Sequence, residues 1–210
     1  MMIGLDIMTF LELLKIKLER KKDFAAFEDI AALFERNKWE GVGISEQEFV
    51  DVFLEVYEDY CENLVVTRRG LSMKGVDGAP DWYGYERLIW DASFKYIEPI
   101  LKIKKFKDEN KIVDGVLSLC LNQRYGKGRQ SLVILIGKYG ANTYASSLAF
   151  LLDDPEVSIQ VIAALTKMKD LSQYEKVNII AAEKKATPER LYAKKYIKKM
   201  NAYKKNPSEG

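Results

Sequence analysis

The stretch FLLDDPEVSIQVIAALTKMK, residues 150–169, decides the fold. An apolar run stops at Asp153, Asp154 and Pro155, and a second apolar run starts at once. Proline is favoured in the first turn of a helix, and an aspartate before it caps the free N–H groups. Such a junction ends one helix and begins the next with almost no loop. The same signal recurs at Thr187-Pro188-Glu189.

Outward from this junction the periodicity is helical, and strand-like alternation is hard to find. Helices are expected near 5–20, 24–37, 45–64, 84–105, 111–123, 128–139, 143–152, 156–169, 173–185 and 189–203. Ser45 with Glu48 forms a capping-box pattern for the third. Three C-terminal stretches superpose: RQSLVILIGKY, IQVIAALTKM and LYAKKYIKKM. With Tyr139, Met168 and Met200 as equivalent ends, the offsets are 29 and 32 residues. Leu132, Val161 and Ala193 then coincide, as do Ile136, Leu165 and Ile197; Leu132, Ile136, Val161, Leu165 and Ile197 are the expected core positions. Two short amphipathic helices per repeat of about 30 residues is the pattern of an α-solenoid, in which stacking buries faces that no unit can bury alone.

DDPEVSIQVIAALTKM resembles a HEAT repeat. Asp154, Pro155, Val157, Ala164, Leu165 and Met168 match that family's pattern. Ser158, Val161 and Thr166 depart from it, where a basic residue, Ala and Gly are usual. The resemblance covers roughly residues 111–203 and is good for one unit. It implies an all-α fold, a HEAT-like α-solenoid of antiparallel helix pairs with an atypical helical N-terminal part. The expected divisions are 1–105 for that part, 106–203 for the repeats and 204–210 for a disordered tail.

Charge is distributed unevenly. Residues 1–64 hold 15 Asp+Glu against 7 Lys+Arg, whereas the whole chain carries a net charge of only +2. There is no histidine among the 210 residues, which removes the commonest general base and the commonest metal ligand. The two cysteines, Cys61 and Cys120, lie in apolar helical stretches and read as buried free thiols. That usage suits a reducing cytoplasm. The N-terminal MMIGLDIMTFLELLKIK lacks a basic residue before its apolar part and does not read as a signal peptide. No segment is long enough to span a bilayer.

Residues 45–64 hold seven acids and no base. On a helix Glu48, Asp51, Glu55, Glu58, Asp59 and Glu62 fall within about a 100° sector. Like charges three or four residues apart cost the helix on the order of 1–3 kcal/mol in total. A charge run is ordinarily solvated, or paired with the chain's own lysines; the functional alternative is a docking stripe for a basic partner. A carboxylate metal site of the helix-bundle type would need Glu-x-x-His, and no His exists.

Residues 184–205 hold nine Lys+Arg against one acid, Glu189. Lys194, Lys195, Lys198 and Lys199 share one face of the last helix, which reads as a solubilising cap or as a contact for nucleic-acid phosphates. Trp82 and Tyr83 sit in a Gly/Pro-rich loop, with Tyr85 clustered beside them just before or within the next helix. They fold back over the core, form a protein-binding hot spot, or stack bases. Asp91 with Trp82 or Trp90 distantly resembles the pocket of helical-repeat DNA glycosylases. RYGKGRQS, residues 124–131, lacks the spacing of a phosphate loop and reads as an inter-helix turn.

Small HEAT-like proteins without a catalytic signature resemble immunity proteins of bacterial toxin systems. That resemblance implies a non-catalytic module, without cofactor or metal, that binds and neutralises a basic, nuclease-like toxin domain. The alternative is a helical-repeat nucleic-acid-binding protein related to DNA repair. Neither involves a membrane.

Overall fold

The computed structural model describes residues 46–102 and 111–205. The expected helices at 5–20 and 24–37, the Ser45 cap and residues 206–210 lie outside them. The protein is all-α: among the described residues there are helices and no strands, apart from an isolated bridge between Ser72 and Tyr83. No described helix is long and apolar enough to cross a membrane. The chain divides into two compact units, Met1–Gly115 and Val116–Gly210.

In the first unit, α1 (Glu46–Arg68) runs past the expected end at residue 64. Val50, Phe53, Tyr57, Cys61, Leu64 and Val65 recur at helical spacing and are buried. Helix α2 (Gly84–Ala92) packs against α1. It continues through a π-turn at Ser93–Ile97 into α3 (Glu98–Lys102), where the sequence suggested an unbroken α-helix. Pro99 explains the interruption. Proline has no N–H for the carbonyl four residues back, and its ring crowds that carbonyl. The wider turn places the Glu98 N–H on Ser93 O instead. It also leaves the Ser93 hydroxyl on Ile89 O at 2.9 Å and beside the buried Tyr57 hydroxyl at 3.0 Å.

Helix α4 (Lys111–Leu121) crosses the boundary between the units. In the second unit a 3-10 segment, Gln123–Gly128, leads into α5 (Arg129–Tyr139). The segment expected as one helix at 143–152 is a short α6 (Ala145–Ala149) between two 3-10 turns. Then follow α7 (Ser158–Met168), α8 (Tyr174–Ala182) and α9 (Pro188–Lys205). Helix α7 packs on both α5 and α9, and α9 packs on α8. The α5–α7 approach is so close that a Cβ on Gly137 would stand 2.6 Å from Ala164 Cβ.

The two proline junctions differ. At Thr187-Pro188 the expectation holds: the Thr187 hydroxyl accepts the Arg190 N–H at 3.1 Å, and Pro188 opens α9. At Asp154-Pro155 the helix starts later, at Ser158. There Asp154 shapes a turn, its Oδ1 accepting Glu156 N–H at 3.0 Å and its carbonyl accepting Ser158 N–H at 2.8 Å. Leu132, Ile136, Val161 and Leu165 are fully buried as expected, whereas Ile197 is only half-buried. Tyr196 takes the interior position, between buried Ala193 and Met200, and its hydroxyl donates to Asp170 O at 2.6 Å. Ala193, Tyr196 and Met200 align at the 32-residue offset with buried Val161, Ala164 and Met168, so the helix face is kept and Ile197 lies at its margin.

Candidate functional surfaces

The loop between α1 and α2 is held by its own backbone. Met73 N–H donates to Trp82 O at 2.7 Å and Gly84 N–H to Leu71 O at 2.5 Å, so the two ends pair across the Ser72–Tyr83 bridge. Within it Val76 N–H reaches Met73 O and Ala79 N–H reaches Val76 O, giving successive turns. Gly75 and Gly78 supply the positive φ, 81° and 73°, that these turns require. The Tyr83 N–H donates to the Glu86 carboxylate at 2.7 Å, which fixes the loop's exit into α2.

This frame sorts the three aromatics. Tyr85 is buried, Trp82 is half-buried and Tyr83 is exposed. The Tyr83 and Tyr85 rings stack at 5.9 Å and 21°. The same loop exposes two aliphatic side chains that the sequence reading overlooked: Leu71 is 56% exposed, Val76 51% and Tyr83 48%. Val66, in the last turns of α1, is exposed too. The missed signal was an apolar residue in a glycine-rich loop, which period-based reading discards.

The acidic stripe lies on α1 in the same unit. Asp51, Glu55, Glu58 and Asp59 are exposed and Glu62 is half-buried, while the Glu48 side chain is outside the described residues. Asp51, Glu55 and Glu62 each take part in a polar or electrostatic interaction, so none of the three stands isolated. Cys61, on the inner face of α1, is buried, and burial pushes its thiol well above the ordinary range; Cys120 is raised for the same reason. Both thiols are held in the unreactive protonated form.

Asp91 is not a pocket carboxylate. Its Oδ2 lies 2.9 Å from Arg87 Nε in a half-exposed ion pair, and the same guanidinium sits 5.1 Å from the Trp90 ring centroid. Trp90 in turn meets Phe94 edge-on at 4.7 Å. Among the described residues no group of His, Cys, Asp or Glu is arranged to hold a metal ion.

In the second unit, Lys194, Lys195, Lys198 and Lys199 are all exposed on α9, opposite the buried Ala193, Tyr196 and Met200. RYGKGRQS holds a residue the sequence did not single out. Arg129 is fully buried; Nε donates to Gly126 O at 3.0 Å and NH1 to Cys120 O at 3.3 Å. Its NH2 meets Asp154 Oδ2 at 2.8 Å and Glu156 Oε2 at 3.0 Å. Gln130 adds a bond to Glu156 O at 2.7 Å. The Asp-Pro turn is therefore clamped to the start of α5, which explains the role of its two acids. No known protein family, curated protein or solved structure matches this chain.

Proposed function

We propose that the protein is a non-catalytic protein-binding module, of the kind immunity proteins represent, whose partner is a basic protein. The observation that carries this reading is the braced loop presenting Leu71, Val76 and Tyr83 to solvent. Exposed aliphatic and aromatic side chains on a backbone already fixed by hydrogen bonds lose little entropy on binding, which is how hot spots are built. Exposed Glu58 and Asp59, on α1 of the same unit, favour a partner of positive charge.

The second unit is read as a HEAT-like stack of helix pairs led by α5, α7 and α9. Support comes from buried Leu132, Val161 and Ala193 at matched places, and from the contacts of α7 with both α5 and α9. Two protonated, buried thiols support a reducing cytoplasmic setting.

The test is capture with purified wild-type protein and a Leu71→Asp/Val76→Asp variant, both shown to melt alike. A basic protein retained by the wild type and lost with the variant supports the reading. Retention of the same proteins by both forms removes the loop as a docking site.

A further inference from the structure

A second surface, independent of the docking loop, lies on the outer face of α9. Lys194, Lys195, Lys198, Lys199, Lys204 and Lys205 on α9 are all exposed, as are Lys184 and Lys185 just before it, and Glu189 is the single acid in residues 184–205. Among the described residues no carboxylate pairs with Lys194, Lys195, Lys198 or Lys199. Among the described residues this row of like charges has no ion-pair partner, and such a row attracts anions. We propose that this face binds the phosphate backbone of nucleic acid without reading its sequence.

The geometry favours that partner. Lys194 and Lys198, like Lys195 and Lys199, stand four residues apart, which is about 6 Å along the helix. That matches roughly two nucleotide steps at ~3.4 Å rise per strand. From Lys194 to Lys205 the row extends about 16 Å along the axis. Tyr192, 5.1 Å from the Lys195 ammonium by its ring centroid, is exposed beside the row and offers a face on which an unpaired base can stack. Lysines are point charges that neutralise phosphates, whereas recognition of base edges favours the bidentate fork of arginine. A bilayer is disfavoured because the apolar side of α9, Ala193, Tyr196 and Met200, is already buried against the protein and has nothing to insert.

The probe is a fluorescein-labelled duplex of about 20 base pairs, with a single strand of equal length, titrated with the full chain by fluorescence anisotropy. With roughly five phosphates neutralised, binding weakens about 500-fold between ~50 and ~200 mM salt, from a logarithmic slope near −4.5. Lys194→Glu/Lys198→Glu lowers affinity more than tenfold at ~50 mM salt and makes the slope shallower by about two. Lys194→Gln/Lys198→Gln, which avoids introducing acids, moves both in the same direction by less. Leu71→Asp/Val76→Asp leaves both unchanged, which separates this site from the docking loop. No binding at ~50 mM salt, or an unchanged slope in the lysine variants, overturns the proposal. So does lysine-dependent binding to phosphatidylserine vesicles with none to DNA.

Discussion

Replacing Arg129 by Met keeps the length of the side chain and removes its charge and donors. The guanidinium is fully buried and touches four oxygens: Cys120 O, Gly126 O, Asp154 Oδ2 and Glu156 Oε2. The consequences for the four differ. The Glu156 side chain is 39% exposed and rehydrates, while that of Asp154 is 13% exposed and is left as a nearly buried charge without a cation. Stranding one member of a buried pair costs about 3–5 kcal/mol, far more than the net worth of the pair. Urea unfolding followed by circular dichroism should show the unfolding free energy falling by that amount, through a lower midpoint at unchanged slope. Adding Asp154→Asn removes the stranded charge and keeps Oδ1 for the Glu156 N–H. The double variant should therefore lose less than the sum of the single variants, by about 1–3 kcal/mol. A loss below about 1 kcal/mol for Arg129→Met, or strict additivity with Asp154→Asn, would show that the clamp does not hold the turn.

Three further outcomes are expected. Leu165→Ala should cost about 2–5 kcal/mol and Ile197→Ala much less, since Leu165 is fully buried and Ile197 is half-exposed; equal costs refute the packing described for α9. Gly137→Ala should destabilise by about 1–3 kcal/mol in thermal melts, because its methyl would lie 2.8 Å from Ala164 Cα and the helices must separate; an unchanged melting temperature contradicts the close crossing. Burial first, then the Asp170 carboxylate, pushes the Tyr196 phenol up to about 12, so folding favours its neutral form. That contribution is complete below the unfolded value near 10 and is lost as pH rises toward 12. Wild type should accordingly lose more stability than Tyr196→Phe across that window, and parallel losses would remove the effect.

The sequence by itself determined the helical class, the cap at Thr187-Pro188 and the buried faces of α1, α5 and α7, because period and capping are local properties. It also located Tyr83 in a loop and the four lysines on one helical face. It misjudged what depends on several elements meeting. Asp154-Pro155 carries a helix-start signal, yet Asp154 is used by Arg129 from 25 positions away, and α7 begins only at Ser158. Ile197 has core spacing, yet Asp170 O draws in Tyr196 instead. The same limit applies to the surfaces. Charge patterning placed the acids on one helical face, and the structure leaves Asp51, Glu55, Glu58 and Asp59 exposed there while Glu62 is half-buried. Leu71 and Val76 became visible as a patch only once backbone pairing across the loop held them in solvent. Local chain preferences extend over a few residues, whereas burial and ion pairing are settled by groups distant in sequence that tertiary packing brings into contact.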